Sequence, residues 1–175
     1  MNQIAEGTWR NKRPNGNSIM IIQQTTYSDI ETLKKWFPDR ESAYLWAGPG
    51  LDFPFTTESF LQSIRWQEIP SYSLYNAENC FAGFGQYYKK SGRCHLARLV
   101  IAPDLRGKGY GQWFFAQLIA IGMQDLAVNE ASLFVLRHND VAVGCYSALG
   151  VRVEQYPEGH EVYDGVDYMV FKRVD

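Results

Sequence analysis

The sequence lacks the cysteine pattern of a disulfide-linked or zinc-binding protein. It has three cysteines, Cys80, Cys94 and Cys145, and no C-x-x-C or Cys/His spacing. An odd number of thiols without such spacing argues against a disulfide framework and against a structural zinc site. We therefore expect reduced thiols in a cytoplasmic protein that binds no metal.

Long apolar runs and blocks of like charge are also missing. No run approaches the roughly 20 apolar residues of a membrane helix, and residues 1–18 contain no hydrophobic segment typical of a secretion signal. The chain has 17 basic and 19 acidic residues, which gives a net charge of −2. We therefore expect neither a membrane nor a nucleic acid as partner.

The length and composition fit one globular domain. Hydrophobic residues make up 46% and charged residues 21% of the 175 positions, which is ordinary globular usage and allows a sizeable core. Residues 1–17 are rich in Asn, Gly and charge and show no periodicity. We expect them to form a flexible N-terminal extension or a loosely docked arm, with residues 18–175 as a single domain.

Hydrophobic periodicity predicts the element order β-α-α-β-β-β-α-β-α-β-β. The first helix, over 29–37, is expected to have Ser28 or Asp29 as its N-cap, and the segment 39–55, with its glycines, prolines and aromatics, to be an irregular loop. Strands over 80–89 and 93–101 flank a Lys-Ser-Gly turn and predict a hairpin. Tight turns early and helices between the late strands indicate a mixed α/β (α+β) fold with helices on both faces of the sheet.

A glycine-rich segment between a predicted strand and a predicted helix carries the sharpest local signal. It reads Arg-Gly-Lys-Gly-Tyr-Gly over residues 106–111. Closely spaced glycines let the backbone curl and let an anion approach its amides. A helix start adds unpaired N–H groups and the positive end of the helix dipole. The pattern predicts a pyrophosphate site, with a plain strand-to-helix turn as the alternative.

Two other phosphate-binding patterns do not fit this segment. A Walker loop needs Gly-Lys-Ser/Thr, and here Lys108 is followed by Gly109. A dinucleotide fingerprint needs G-x-G-x-x-G and an acidic residue after the next strand. The spacing here is G-x-G-x-G, and Arg137 closes the next predicted strand. Neither nucleotide class is therefore expected.

Two longer stretches resemble the motifs of one enzyme superfamily. LARLVIAPDLRGKGYGQWFFAQLI, residues 96–119, resembles motif A of the GCN5-related N-acetyltransferases (GNAT), in which Arg/Gln-x-x-Gly-x-Gly/Ala opens a helix. RHNDVAVGCYSALGV, residues 137–151, resembles their motif B, with Asn139 and Tyr146 in place and Val151 where Phe is usual. The resemblance is clear over residues 93–151 and extends loosely over the predicted element order.

The resemblance implies a mostly antiparallel sheet of six to seven strands, splayed in the middle, and acetyl-CoA as co-substrate. It implies that the pantetheine arm pairs with residues 99–101 like an added strand, with an amide near Val100 stabilising the oxyanion. Tyr146 would protonate the departing thiolate, unless it is a buried structural tyrosine. Asn139 would bond the pantetheine arm, unless it is a helix N-cap. The implied cofactor-binding residues are Leu99, Val100, Ile101, Arg106, Gly107, Lys108, Gly109, Tyr110, Gly111, Gln112 and Asn139.

The general base is left open by the resemblance. Some members carry Glu on the motif A strand, and His95 occupies that position here. Others carry Glu five residues before the Asn, where this chain has Phe134. His95, with an ordinary pKa near 6.5, is thus the predicted base, and a surface strand histidine is the alternative. Ordered water could replace it as the base, and so could one of three acidic side chains: Asp52, Glu58 and Glu78.

The predicted reaction is direct attack of a primary amine on acetyl-CoA. The acceptor could be a small amine, an amino acid, an aminoglycoside-like compound or a protein amino group. Trp46, Phe53, Phe55 and Tyr87 are expected as walls of the acceptor pocket or as core. A non-enzymatic acyl-CoA sensor and a transferase with another acyl-CoA donor are the alternatives. Pairing of terminal strands between chains would give a homodimer.

Overall fold

The computed structural model describes the secondary structure of residues 4–5, 8–12 and 19–173, and the side-chain environments of residues 20–173. The elements in chain order are β1 (Ile4–Ala5), β2 (Thr8–Lys12), β3 (Ile19–Gln24), α1 (Tyr27–Leu33), α2 (Arg40–Ala47), α3 (Thr57–Ile64), β4 (Ser71–Tyr75), β5 (Phe81–Lys90), β6 (Arg93–Ile101), α4 (Tyr110–Asp125), β7 (Glu130–Leu136), α5 (Asp140–Ala148), β8 (Arg152–Glu154) and β9 (Val166–Lys172).

The chain forms two compact units. The first comprises Met1–Gln86 and Arg98–Phe114, and the second Tyr87–Ala97 and Phe115–Asp175. Strands β5 and β6 and helix α4 are each divided, with one end in the first unit and the other end in the second. The expected single domain over residues 18–175 stays a prediction.

Antiparallel pairing organises the strands of the first unit. Strands β1 to β4 each pair with the next strand in sequence, ending with β4 on β5. Helices α1 to α3 contribute apolar side chains to one buried cluster, which includes Ile30, Ala43 and Phe60. Such burial supplies the main favourable free energy of folding. The cluster also takes in Phe84 of β5, so it joins the helices to that strand.

The second unit contains a parallel ladder. Strand β6 pairs in parallel with β7 from Cys94 opposite Ala131 to Leu96 opposite Leu133, whereas β7 and β8 each pair antiparallel with β9. Both β6 and β7 continue beyond the last pair of their ladder. The predicted class, a mixed α/β fold with a mostly antiparallel sheet, is confirmed, and β3 to β9 match the expected upper count of seven strands.

Two strands precede the predicted start of the fold. β1 and β2 lie within residues 1–17, the expected flexible extension, and β2 pairs with β3 from Trp9 opposite Ile22 to Lys12 opposite Ile19. Part of that segment is therefore strand, and the rest of the prediction falls on residues 1–3, 6–7 and 13–17, outside the described part of the chain. The pairing of β2 with β3 agrees with the docked-arm alternative, and the flexible extension stays a prediction. Pairing with a neighbouring strand supplies hydrogen bonds that no local sequence pattern displays.

Two helix starts differ from the sequence expectation. The segment 39–55 is not an irregular loop, because it contains α2. This helix begins after Asp39, whose carboxylate accepts from the Ser42 N–H at 2.8 Å. It is followed by Gly48, which has φ of 69°. The N-cap of α1 is Thr26, not Ser28 or Asp29, and Asp29 completes a capping box by accepting from the Thr26 N–H. Each cap satisfies a helix-terminal amide.

The turn between β5 and β6 has the conformation of a tight hairpin. Strands β5 and β6 are joined by Ser91 and Gly92 with φ of 50° and 76°, a pair of left-handed residues typical of tight hairpins. Over the described residues, no helix has the length and apolarity needed to cross a membrane. The same residues contain no group of three or more metal-ligating side chains.

Candidate functional site

The glycine-rich turn, residues 106–112, follows β6 and a short 3-10 turn and leads into α4. Gly107 and Gly109 have φ of 72° and 78°. A side chain at either position would meet no atom within 4 Å, so space does not require glycine there. The left-handed backbone does, because other residues pay a steric cost in that region.

Main-chain amides in the turn are available to an outside acceptor. Within the described part of the chain, the N–H groups of Gly107, Gly109, Gly111 and Gln112 donate no hydrogen bond. The Trp113 N–H donates to the Gly109 carbonyl at 3.3 Å, across the start of α4. Unused amides at the start of a 16-residue helix combine donor groups with the positive end of the helix dipole. They form a ready anion site.

Two exposed cations flank these amides. Arg106 Nε donates to the Ile101 carbonyl at 3.1 Å, and Lys108 Nζ donates to the Asp104 carbonyl at 2.8 Å. Both bonds are to neutral main-chain oxygens. The Arg106 bond also ties the turn to the end of β6.

The last residues of β6 present their main-chain groups alternately to the two edges of the strand. Ala102 N–H donates to the Ala82 carbonyl at 2.9 Å, and a Cβ added to Gly83 would lie 3.0 Å from the Val100 oxygen. Val100 therefore faces β5, and the polar groups of Leu99 and Ile101 face the opposite edge. An oxyanion amide expected near Val100 has to come from Leu99 or Ile101 if this strand supplies it.

Arg98 interrupts β6 just before this segment. Its φ of 53° is left-handed, which costs a non-glycine residue roughly 1–2 kcal/mol. Trp46 Nε1–H donates to the Arg98 carbonyl at 2.7 Å, and the guanidinium donates to Gln86 Oε1 and to the Ser63 carbonyl, each at 3.0 Å. A left-handed residue within a strand is typical of a β-bulge, which redirects the strand.

Tyr146 lies on α5, where its ring packs 4.6 Å from that of Phe115. Burial, and in smaller part the Cys145 thiol, raises the pKa of Tyr146 above its ordinary value, so the phenol is protonated at neutral pH. Within the described residues its hydroxyl makes no hydrogen bond. The side chain thus has a proton to give, and its role as general acid stays a prediction. Burial also raises the pKa of Cys145, which disfavours a thiolate nucleophile.

Asn139 is the N-cap of α5. Its Oδ1 accepts from the Ala142 N–H at 3.2 Å, so the alternative raised for this residue is confirmed. The Nδ2 group has no hydrogen bond within the described residues. Capping by the oxygen and donation by the amide nitrogen are therefore compatible.

His95 is a core residue of β6, not a surface strand histidine. It is 2% exposed, its Nδ1 lies 3.0 Å from Ser132 Oγ, and its ring contacts those of Tyr88 and Phe134. Burial, with the nearby charges of Lys90 and His160, lowers the pKa of His95 to about 3. A base this weak takes a proton from an ammonium group poorly, so the environment favours a structural role.

The aromatic side chains expected as pocket walls divide between two packing clusters. Trp46 stacks on Phe37 and Phe60 with centroid distances of 4.3 and 5.6 Å, and Phe53 and Phe55 also pack on the first unit's core. Tyr87 is 1% exposed and donates to Asp125 at 3.1 Å. Tyr87 is thus core and not wall. The substitute bases are all exposed: Asp52, Glu58 and Glu78.

The predicted site residues group by unit. Residues 99–101 and the glycine-rich turn belong to the first unit, and His95, Asn139 and Tyr146 belong to the second. Sequence reasoning missed the Arg98 bulge and the Trp46 bond to it. Gln86 was also missed, a fully buried amide that holds Arg98. No local pattern marks these three residues, because each depends on contacts distant in sequence.

Comparison with known proteins places these features in context. Residues 31–151 match the model of the acetyltransferase (GNAT) family. The spermidine N-acetyltransferase of Vibrio cholerae, solved with CoA and spermine, is similar with a TM-score of 0.68 at 14% identity, over 87% of this chain and 95% of that chain. The PaiA N-acetyltransferase of Thermoplasma acidophilum, solved with coenzyme A, has a TM-score of 0.64 at 22% identity, over 88% and 99%. A domain from Methanocaldococcus jannaschii has a TM-score of 0.69 at 16% identity, over 90% and 100%.

Proposed function

The chain belongs to the acetyltransferase (GNAT) family, and from this premise we propose that it transfers an acetyl group from acetyl-CoA to a primary amine. The observation that carries the proposal is the row of unused N–H groups at Gly107, Gly109, Gly111 and Gln112. They lie at the start of α4, where a diphosphate is stabilised by both hydrogen bonds and the helix dipole.

Donor binding would use both the turn and the strand that precedes it. The diphosphate of acetyl-CoA lies on the amides of the turn, and Arg106 and Lys108 add positive charge beside it. The pantetheine arm runs along the edge of β6 to which Leu99 and Ile101 turn their main-chain groups, like an added strand. Of the three strand residues predicted from the sequence, Val100 contributes through packing and not through its main-chain groups.

The chemistry needs no covalent intermediate on the protein. The neutral amine attacks the thioester carbonyl carbon, a C–N bond forms and the carbonyl oxygen becomes an anion. A main-chain N–H, for which Leu99 is the best placed in β6, stabilises that anion. As the C–S bond breaks, the sulfur takes the Tyr146 hydroxyl proton. The amine nitrogen loses one proton, which returns to the Tyr146 phenolate through water, and the products are an amide and CoA.

Removal of the amine proton is assigned to ordered water and not to His95. A free alkylammonium has a pKa near 10.4, and the acceptor must lose a proton before it attacks. His95 is buried against Ser132, and its pKa of about 3 makes it a poor acceptor of that proton. Ordered water takes the proton instead, with the exposed acids Asp52, Glu58 and Glu78 as the substitutes named from the sequence.

Polyamines are the acceptors to test first. Two similar structures are N-acetyltransferases, and one of them is a spermidine N-acetyltransferase solved with spermine. At 14% identity the likeness extends to the fold alone, so it suggests where to begin and does not define the acceptor. Small diamines, aminoglycosides and amino acids complete the panel.

A thermal-shift titration tests donor binding. A ligand at 100 times its dissociation constant stabilises a protein by about 2.7 kcal/mol, so acetyl-CoA and CoA should both raise the melting temperature, and ATP, which has no pantetheine arm, should act weakly. No shift with millimolar CoA would refute the proposal. Release of free thiol is then followed with each amine. Binding without thiol release for any amine would favour the acyl-CoA sensor.

A further inference from the structure

Strand β6 contains a conformation that needs an external support. Arg98 has φ of 53° in the middle of an otherwise extended strand. Strain of this kind persists where surrounding contacts enforce it, and it is often found at functional positions. The residue that follows is Leu99, whose main-chain groups face the edge away from β5.

The support comes from two helices and from β5. The indole N–H of Trp46, on α2, donates to the Arg98 carbonyl at 2.7 Å. The guanidinium donates to the Ser63 carbonyl, on α3, and to Gln86 on β5. Gln86 is itself held, because its amide donates to the Ile64 carbonyl at 2.9 Å and to Ser71 Oγ at 2.8 Å.

The hydrogen bond from Trp46 to the Arg98 carbonyl is the contact most directly coupled to the backbone. Rotating Arg98 toward an extended conformation would turn its carbonyl and break the Trp46 bond. Trp46 cannot easily follow, since its ring is stacked between Phe37 and Phe60. The orientation of the next peptide unit, which carries the Leu99 N–H, therefore depends on Trp46.

We propose that Trp46 is a positioning residue for the acyl donor, and that it acts through the Arg98 carbonyl to orient the main-chain groups of Leu99 toward the pantetheine arm. This inference rests on the proposed acetyl-CoA binding. It assigns to a residue expected as an acceptor-pocket wall a role on the donor side. The diphosphate seat on residues 106–112 makes no contact with Trp46 that the structure describes. The affinity of that seat for a diphosphate should therefore not depend on the Trp46–Arg98 hydrogen bond.

The first experiment replaces Trp46 and measures two ligands by calorimetry. Trp46→Phe keeps an aromatic ring and removes the N–H donor. Acetyl-CoA affinity should fall about fivefold, the effect of one hydrogen bond, whereas the phospho-ADP half of CoA, which has the diphosphate and no pantetheine arm, should bind as it does to the parent. Trp36→Phe is the matched control, because Trp36 stacks on Phe81 and donates no hydrogen bond among the described residues. Its acetyl-CoA affinity should equal that of the parent.

A second pair of variants perturbs the bulge without changing Trp46. Arg98→Gly and Arg98→Val both remove the guanidinium, but glycine tolerates positive φ and β-branched valine does not. The glycine variant should bind acetyl-CoA about tenfold more tightly than the valine variant, and the phospho-ADP fragment equally well. This comparison decides the matter even if Trp46→Phe does not fold.

Three results would overturn the inference. Trp46→Phe could bind acetyl-CoA as tightly as the parent, it could lose both ligands equally, or the two Arg98 variants could bind acetyl-CoA alike. The first and third would show that the bulge does not orient the donor, and the second would show general damage. If the parent itself binds neither ligand, the proposed function fails, and this inference fails with it.

Discussion

The glycine-rich turn and the second unit's titratable side chains represent two kinds of chemistry in one chain. In the turn, unused N–H groups and the left-handed φ of Gly107 and Gly109 create the site, and side-chain burial has little part. Around Tyr146 and His95 the reverse holds, because burial sets the protonation of both groups. One region is defined by backbone geometry and the other by packing.

This difference affects what each region tolerates. A backbone site depends on conformations that glycine alone adopts without strain, so substitution should weaken binding while the fold survives. A side-chain site depends on a proton held at one atom, so removing that atom should reduce turnover while binding survives. The following predictions test this separation.

The largest effect is expected from Tyr146→Phe. Positioned general acids typically contribute a factor of 100 to 10,000 in rate, so kcat should fall at least 100-fold while acetyl-CoA affinity changes little. Because the hydroxyl makes no hydrogen bond among the described residues, the melting temperature should also be unchanged. Steady-state turnover with the best amine of the panel, together with calorimetry for acetyl-CoA, provides the measurement.

Two controls sharpen this test. A thioester whose thiol is more acidic needs less help in leaving, so the variant's deficit should shrink with such a donor. Cys145→Ala, the neighbour on α5, should keep the parent's rate because its pKa is raised by burial. Parent-like turnover by Tyr146→Phe would show that the acid lies elsewhere.

Gly109→Val should have the next largest effect, on donor binding. Valine at a φ of 78° costs on the order of 1–3 kcal/mol, and a backbone that relaxes to avoid the strain moves the neighbouring amides. We expect acetyl-CoA affinity to fall roughly 10- to 100-fold. Gly159→Val is the matched control, since Gly159 has φ of 77° and equally open surroundings. If both variants, folded, bind acetyl-CoA as the parent does, the turn is an ordinary loop.

The same division explains what could be predicted from the sequence. The turn was predictable because glycine spacing reports local backbone conformation, and the Ser91-Gly92 hairpin turn was predictable for the same reason. Helix α2 was missed because the Asp39 capping box was outweighed by nearby Gly and Pro. The burial of His95 and the Trp46–Arg98 bond join residues far apart in the chain. Such contacts leave no periodic trace in one sequence.

The stability of the protein should depend on His95 below neutral pH. The pKa of His95 is about 3 in the folded chain and near 6.5 when unfolded. The unfolded chain therefore binds the proton first, and folding stability is full above pH 6.5 and falls as the pH drops toward 3. Between pH 7.5 and pH 5 the free energy of unfolding should fall by about 2 kcal/mol through this group.

His95→Asn isolates that contribution. Asparagine offers polar atoms near the position of Nδ1, which faces Ser132, and it does not titrate. Its pH dependence, measured by urea unfolding, should be shallower than the parent's by the same 2 kcal/mol, because the other titrating groups are shared. Turnover should stay within about threefold of the parent. A loss of 100-fold or more in a folded variant would restore His95 as the general base.

The smallest effect is expected at Asn139, whose side chain combines a structural function, capping α5, with a proposed contact to the donor. Its oxygen caps α5 through the Ala142 N–H, and its amide nitrogen is the group proposed to contact the pantetheine arm. Asn139→Asp and Asn139→Ser keep a capping oxygen and lose that amide, so stability should stay within about 0.5 kcal/mol while acetyl-CoA affinity falls about fivefold. Asn139→Ala loses both functions and should also cost about 1 kcal/mol of stability. Because serine adds no charge, a loss seen with aspartate alone would indicate repulsion of the anionic donor. If neither capping variant changes donor affinity, the amide makes no contact with acetyl-CoA and Asn139 serves α5 alone.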